Sequence, residues 1–133
     1  MEPGDNYQLE FRFTQNQVED FARLTGDSNP LHLDPDYASR TLFKKPIIHG
    51  VLGASIFSKI MGTLFPGEGT IYLSQQLEFK RPMYVDTTYK ALVQVNEINP
   101  GKHTAILTTR VLDNATDNLV IDGEALVMNR ERI

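Results

Sequence analysis

The chain carries a carboxylate and an imidazole close together in a stretch rich in turn-forming residues. Asp27 and His32 lie five residues apart, and Pro30 stiffens the turn between them, so both side chains can reach one small volume. An Asp and a His in one site can take up and deliver protons, which is general acid–base catalysis. Seventeen residues after His32 comes the pair His49-Gly50, which leads into a long apolar segment. If that segment is a helix, the free N–H groups near Gly50 can hold a developing negative charge.

These groups suit the addition of water to a double bond conjugated with a thioester carbonyl. That reaction needs groups that move protons and N–H donors that stabilise an enolate. Turn chemistry alone explains a single Asp27, so the combination carries the hypothesis. His49 either fixes the loop by hydrogen bonding or supports the catalytic groups, and we leave it outside the catalytic pair. The spacing of His32, Asp34, Asp36 and His49 matches no recognised metal site, so no metal is predicted.

The elements that must position these residues begin with a strand and two short helices. The alternation from Tyr7 to Phe13 predicts a strand. Thr14 is then typical of a helix N-cap, with Gln17 completing a capping box, and Gly26 is placed to end that helix in a left-handed conformation. Asp34 precedes a proline, which predicts a second helix start and explains this carboxylate as a cap.

The apolar segment from Ile47 to Phe65 predicts a longer helix buried among other elements, and only Lys59 in it is charged. It is too short for a membrane span. Downstream, the hydrophobic period changes to two, which predicts four strands joined partly by short hairpin turns. These strands are Thr70 to Lys80, Thr87 to Ile98, Thr104 to Asp113 and Leu119 to Met128. We therefore expect one α+β domain over residues 1–133, with an antiparallel sheet of about five strands on the helix.

Composition and charge exclude several classes of protein. The 133 residues suit a single domain. Thirteen Lys and Arg against seventeen Asp and Glu give a net charge of −4, so there is no general basic field for nucleic acid or an anionic membrane. The absence of cysteine excludes a thiolate nucleophile and cysteine-ligated metals. Without a signal-peptide pattern we expect a cytoplasmic protein, or a mitochondrial one after processing.

Three segments resemble a known family. The run from Gly26 to Asp34, Gly-Asp-Ser-Asn-Pro-Leu-His-Leu-Asp, followed by Pro46-Ile47-Ile48-His49-Gly50, resembles the hydratase 2 motif of MaoC-like (R)-specific enoyl-CoA hydratases. The likeness continues through residues 66–80 and extends from about Phe13 to Val127. It implies a hot-dog fold, in which an antiparallel sheet wraps around a long central helix. It also implies a homodimer with one continuous larger sheet, and pairing would remove an exposed sheet edge.

The resemblance assigns roles residue by residue. Asp27 and His32 match the catalytic pair, the Gly50 N–H matches the donor to the thioester carbonyl oxygen, and Asn29 helps to shape the loop. We predict that Asp27 activates water and that His32 orients it and shares in proton transfer. The two roles are open to exchange, because coupled groups titrate as a pair.

Other residues are predicted to contact the substrate. Ser58 and Met61 match positions that line the acyl pocket in the family. Four cations either meet the phosphates of coenzyme A or of a carrier protein's phosphopantetheine, or keep the surface solvated: Lys44, Lys45, Lys80 and Arg81. We expect no cofactor, because the coenzyme A or phosphopantetheine thioester is the substrate.

The leading hypothesis is an (R)-specific enoyl-CoA hydratase, which converts trans-2-enoyl thioesters reversibly into (R)-3-hydroxyacyl thioesters. The alternative is a (3R)-hydroxyacyl-carrier-protein dehydratase, since the motif does not specify the carrier. A hot-dog thioesterase is disfavoured because residues 51–65 include no acidic side chain to activate water. A non-catalytic acyl-binding domain is disfavoured because both Asp27 and His32 are present.

Overall fold

A computed structural model describes all 133 residues and places the helices between the first strand and the other four. The elements are β1 (Asn6–Phe11), α1 (Gln15–Thr25), α2 (Pro30–Leu33), α3 (Pro35–Ser39), α4 (Gly50–Thr63), β2 (Ile71–Phe79), β3 (Tyr89–Asn99), β4 (Thr104–Asp113) and β5 (Leu119–Met128). The predicted strand ends agree with these bounds to within two residues. No helix among them has the length and apolar character needed to cross a bilayer.

The five strands form one antiparallel sheet in the order β1-β3-β4-β5-β2. The pairs β3–β4 and β4–β5 are the two predicted hairpins. Strand β2 does not pair with its sequence neighbour β3 but with β5, and Phe79 lies opposite Ile121 in that register. The sheet therefore has two free edges, β1 and β2.

Helix α4 supplies the centre of the hydrophobic core. Its Phe57, Ile60 and Met61 are at most 1% exposed, and they belong to a cluster of 20 buried apolar residues with the inner face of the sheet. Strands β3 and β4 alternate between buried and accessible positions, as expected of a sheet with one face on a core. Burial of each such side chain contributes about 1.5–3 kcal/mol. The predicted α+β hot-dog architecture is confirmed.

Helix α1 carries the predicted caps. The Thr14 hydroxyl accepts from the Gln17 N–H at 3.2 Å, and the Gln17 side chain accepts from the Thr14 N–H at 2.9 Å. Gly26 ends the helix at φ 81°, which a residue with a side chain rarely adopts. The Gln15 side chain donates to the carbonyl of His32 at 3.0 Å, so α1 is tied to the loop that follows it.

Helix α2 was not predicted from the sequence. We expected only a turn between Asp27 and His32, stiffened by Pro30, but Asn29 acts as an N-cap and its side-chain oxygen accepts from the Leu31 N–H at 3.0 Å. Asn followed by proline is a helix start, the same signal that correctly predicted α3 after Asp34.

The predicted start of the central helix at Ile47 was wrong, because α4 begins at Gly50 with His49 as its N-cap. The Ile47 N–H donates to the carbonyl of Leu31 at 3.3 Å, and the Ile48 N–H donates to that of Met83 at 2.8 Å. These tertiary hydrogen bonds hold the two isoleucines outside the helix. As a result the first turn of α4 starts beside helix α2, which carries His32.

Candidate active site

The structure brings Asp27 and His32 together next to the first turn of α4. An oxygen of the Asp27 carboxylate and one nitrogen each of His32 and His49 lie within 4.8 Å of one another. His32 is only 8% exposed, whereas half of the Asp27 side-chain surface is open to solvent. The site thus combines a sheltered imidazole with an accessible carboxylate.

A hydrogen bond fixes the tautomer of His32. Its Nδ1 lies 2.7 Å from the carbonyl oxygen of Ile47. Because a carbonyl oxygen only accepts, Nδ1 carries the proton and Nε2 of the neutral ring keeps a lone pair. His32 can therefore take a proton from a bound molecule through Nε2.

The surroundings keep His32 in its neutral form. Burial lowers the pKa of His32 below its ordinary value of 6.5, and the nearby His49 lowers it further. The hydrogen bond to Ile47 and the charge of Asp27 act in the opposite direction but do not reverse the shift. At neutral pH the ring is consequently ready to accept a proton.

The first turn of α4 offers unused donors. His49 provides no side-chain cap, and the N–H groups of Gly50 and Val51 donate to no acceptor within the protein. A Cβ at position 50 would lie 2.8 Å from a ring carbon of Phe79, so only glycine lets that ring lie against the backbone here. Free N–H groups at a helix N-terminus favour an oxyanion.

His32 and the free N–H groups of Gly50 and Val51 border one largely apolar cavity of about 480 Å³, whose lining does not include Asp27. Its walls are formed by His32, Phe43, Ile47, Ile48, Gly50, Val51, Phe79, Lys80, Arg81, Pro82, Met83 and Ile121. An apolar chamber with a few converging polar groups is the usual form of a small-molecule site. Lys80 and Arg81 add positive charge to the wall of this cavity.

The structure does not bring every predicted site residue to the cavity. Asn29 caps α2 and also donates its N–H to the Asp27 carboxylate at 3.3 Å, so it shapes the loop. Ser58 is exposed on α4 and Met61 lies in the core at 1% exposure, and neither lines the cavity. Their predicted role in the acyl pocket stays a prediction.

The four predicted phosphate contacts divide into two groups. Lys80 and Arg81 line the cavity, whereas Lys44 and Lys45 do not. The Lys45 ammonium lies 4.5 Å from the ring centre of Tyr84.

The three clustered side chains are poorly arranged for a metal ion. The rings of His32 and His49 stack with their centres 3.9 Å apart and an angle of 29° between planes. Ring-nitrogen lone pairs lie in the ring plane, so stacked imidazoles do not aim them at one point between the rings. The sequence-based expectation of no metal stays a prediction.

Phe79 and the stack of His49 on His32 were missed by sequence reasoning. Phe79 comes from β2, far along the chain, and reaches Gly50 only because β2 crosses to the edge beside β5. For His49 the signal was present, since it directly precedes the predicted oxyanion donor, but the stacking itself has no local signature.

Comparisons with known proteins agree with this geometry. A family model described as "MaoC like domain" matches residues 2–116. The chain is 44% identical over 127 residues to a protein of Aeromonas caviae named (R)-specific enoyl-CoA hydratase, covering 96% of this chain and 94% of that protein. It is 35% identical over 115 residues to a mitochondrial 3-hydroxyacyl-[acyl-carrier-protein] dehydratase of Arabidopsis thaliana, covering 85% of this chain and 68% of that protein.

A solved structure shares the fold closely. The structure of an (R)-hydratase from A. caviae, described as involved in PHA biosynthesis, superimposes with a TM-score of 0.92 at 43% identity and covers 97% of each chain. From the matched family model and these relatives, the chain belongs to the MaoC-like family.

Proposed function

We propose that this protein is an (R)-specific enoyl-CoA hydratase, a hydro-lyase that adds water reversibly to trans-2-enoyl thioesters. The observation that carries this function is the placement of Asp27 next to a neutral His32, which lines one apolar cavity together with Gly50 and its free N–H. The name of the A. caviae relative agrees with it. The product is an (R)-3-hydroxyacyl thioester.

In the proposed mechanism the thioester carbonyl oxygen accepts from the Gly50 N–H, which draws electron density away from Cβ. A water molecule donates one hydrogen to the Asp27 carboxylate and the other to Nε2 of His32. The water oxygen bonds to Cβ as its O–H bond breaks, and that proton moves to His32. The enolate held at Gly50 then takes the proton from His32 at Cα, which restores the neutral ring.

This scheme gives the mobile proton to His32 and orientation of the water to Asp27, the reverse of the sequence-based assignment. What supports the exchange is the tautomer, since Nε2 of His32 is the lone-pair nitrogen and the ring is neutral. Asp27 stays a carboxylate throughout and stabilises the transient imidazolium. We propose that no cofactor takes part, because proton transfer and oxyanion binding are all that the water addition requires.

The test is loss of the conjugated enoyl absorbance when the purified protein meets crotonyl-CoA, followed by chiral analysis of the product. We expect rapid loss and an (R)-3-hydroxybutyryl product. Release of free thiol would instead indicate a thioesterase. No reaction with enoyl chains of four to ten carbons on either coenzyme A or carrier protein would refute the proposal.

The rate is expected to fall on the acid side of neutrality. Only neutral His32 can accept the proton, and its pKa is lowered by burial. The kcat/KM for crotonyl-CoA should therefore be level near pH 7 and fall with decreasing pH, with a midpoint below 6.5. A pH–rate profile checks this, and a midpoint above 6.5 would contradict the desolvated, neutral His32.

We propose that coenzyme A is the preferred carrier and that Lys80 contributes to binding its phosphates. Lys80 lines the cavity, and its ammonium pairs with Glu78 on the same strand end. Lys80→Ala is expected to raise KM for crotonyl-CoA about 3- to 10-fold with kcat unchanged, since one surface charge contact to phosphate is lost. Glu78→Gln frees the ammonium and should lower KM.

Crotonyl-pantetheine, which lacks the nucleotide phosphates, provides the control substrate for this prediction. Its KM should not respond to either substitution. An equal effect on both substrates would place Lys80 away from the phosphates. A much higher kcat/KM for crotonyl-carrier protein than for crotonyl-CoA would favour the dehydratase that the Arabidopsis relative's name describes.

We propose that the protein forms a homodimer through the free edge of β2. Five large apolar side chains are exposed on β2 and in the first turn of α4: Val51, Ile71, Tyr72, Leu73 and Phe79. An exposed apolar sheet edge favours pairing with another strand, and two copies of β2 would cover the patch symmetrically. Val51 and Phe79 also line the cavity, so the partner would close one of its sides.

Sedimentation analysis tests the dimer. The double variant Ile71→Lys/Leu73→Lys is expected to be monomeric at micromolar concentration, because it places charges on the apolar edge. Gln8→Lys/Glu10→Lys on the other edge strand, β1, is the matched control and should leave the dimer intact. A monomeric wild type, or a control variant that also dissociates, would contradict pairing through β2.

The cytoplasmic location expected from the sequence stays a prediction, since the relatives include a mitochondrial dehydratase.

A further inference from the structure

His49 is a buried polar side chain to which the proposed mechanism gives no part. It is 3% exposed and stands directly before Gly50 at the start of α4. Its Nε2 lies 3.0 Å from the carbonyl oxygen of Asp27 and 3.9 Å from a carboxylate oxygen of the same residue. His49 therefore holds the backbone of the loop that carries Asp27.

The ring of His49 also contacts His32 directly. The two rings stack with centres 3.9 Å apart, and Phe21 from α1 packs against His49 with a centre distance of 4.8 Å. His32 is already anchored in its own plane by the bond to Ile47. The stack adds a contact on its face, so together these two neighbours fix both the position and the tilt of the ring.

The second nitrogen of His49 shows that packing alone does not explain this residue. Because Nε2 faces a carbonyl oxygen, Nε2 carries the proton, and Nδ1 is buried with no hydrogen-bond partner. A buried unsatisfied polar atom costs about 1–3 kcal/mol, which a phenylalanine or leucine here would avoid. A side chain that is retained for packing only would have no need of a nitrogen.

We propose that His49 is a positioning residue for the hydration reaction, in which one side chain sets the separation and orientation of Asp27 and His32. This inference rests on the proposed function. The donor on Nε2 places the loop of Asp27, and the ring face places His32. Reacting groups that are misplaced by about 1 Å can lose about 100-fold in rate, so such a residue acts mainly on kcat.

The electrostatic surroundings of His32 add a readout that a merely structural role would not move. His49 is one of the groups that lower the pKa of His32, after burial, while Asp27 raises it. Lys80 and Arg81 are the charged side chains that line the cavity with His32. Removing the imidazole at position 49 should therefore raise the pKa of His32 and move the acid limb of kcat/KM to higher pH.

Two substitutions separate the functions of the ring. His49→Gln keeps an N–H donor for the Asp27 carbonyl but loses the stack, and His49→Phe keeps a flat ring on His32 but loses the donor. We expect kcat for crotonyl-CoA to fall about 10- to 100-fold in each, with KM changed less than about 2-fold. The acid limb should shift upward in both variants.

The matched control is His103, the only other histidine outside the catalytic pair. Its Nδ1 lies 2.8 Å from the main-chain oxygen of Ile133, so it too bonds to a main-chain oxygen. The same two substitutions there should leave kcat and the pH profile unchanged. His49 variants with wild-type kcat and acid limb would overturn the proposal, as would a loss that only follows the unfolded fraction in thermal melts.

NMR titration of the His32 ring separates this proposal from the proposed function. If wild-type protein hydrates no enoyl thioester, the proposed function fails, yet the His32 pKa should still rise in His49→Gln. An unchanged His32 titration in that variant, with an active wild type, would refute the positioning role alone. His49→Gln also carries the test if His49→Phe does not fold.

Discussion

Asp27→Asn is expected to lower kcat for hydration of crotonyl-CoA about 10³-fold while the protein stays folded. The amide has the shape of the carboxylate, and its oxygen can still accept from the Asn29 N–H. The half-exposed side chain packs against little, and the Asp27 carbonyl that binds His49 is untouched. What disappears is the negative charge that orients the water and stabilises the imidazolium.

His32→Asn removes the other member of the catalytic pair and is also expected to leave the protein folded. The asparagine Nδ2 can replace Nδ1 as donor to the Ile47 carbonyl, but no atom replaces Nε2. We expect a loss of kcat of about 10²- to 10⁴-fold. The double variant with Asp27→Asn should be about as slow as the slower single one, because residues that act as one unit are not additive.

Initial rates from enoyl absorbance, with circular dichroism melts as the folding control, measure both effects. Ser28→Ala, in the same loop, is the matched control and should retain wild-type activity. Either single variant keeping more than a tenth of the wild-type kcat would remove that residue from the catalytic pair. Fully additive losses in the double variant would mean that the two groups do not share one water molecule.

The sequence predicts the elements with local signals well. The capping box at Thr14, the left-handed Gly26 and the cap at Asp34 each depend on residues within one helical turn, and all three are confirmed. The strands follow from a period of two, which needs no knowledge of the partner strand. The pair Asp27 and His32 is also local, which is why its convergence could be foreseen.

Features that depend on distant residues could not be read in this way. Helix α4 starts late because Ile47 and Ile48 bond to Leu31 and Met83, and no local pattern encodes those partners. The crossing of β2 to β5 is likewise a property of the whole sheet. That crossing brings Phe79 against Gly50. The contact joins two distant segments, so no pattern within either segment predicts it.

Gly50→Pro is expected to lower kcat for hydration of crotonyl-CoA strongly, because it deletes the N–H that holds the thioester oxygen. Proline is well tolerated at the first position of a helix, which is the place of residue 50 in α4. His49, at φ −54° and ψ 128°, already has a conformation that suits a residue before proline. The helix should therefore form, and the oxyanion should lose the donor that the mechanism assigns to it.

The added ring atoms require a steric control, because a Cβ here would lie 2.8 Å from Phe79. Gly50→Ala adds the Cβ and keeps the N–H, and Phe79→Leu in both backgrounds makes room for it. The two double variants Gly50→Pro/Phe79→Leu and Gly50→Ala/Phe79→Leu differ mainly in the presence of the N–H at position 50. Loss of one oxyanion donor lowers kcat about 10²- to 10³-fold, and we expect kcat of the proline variant to be lower than that of the alanine variant by this factor. Equal kcat values would place the thioester oxygen elsewhere, with the Val51 and Leu52 N–H groups as the remaining free donors of the first turn.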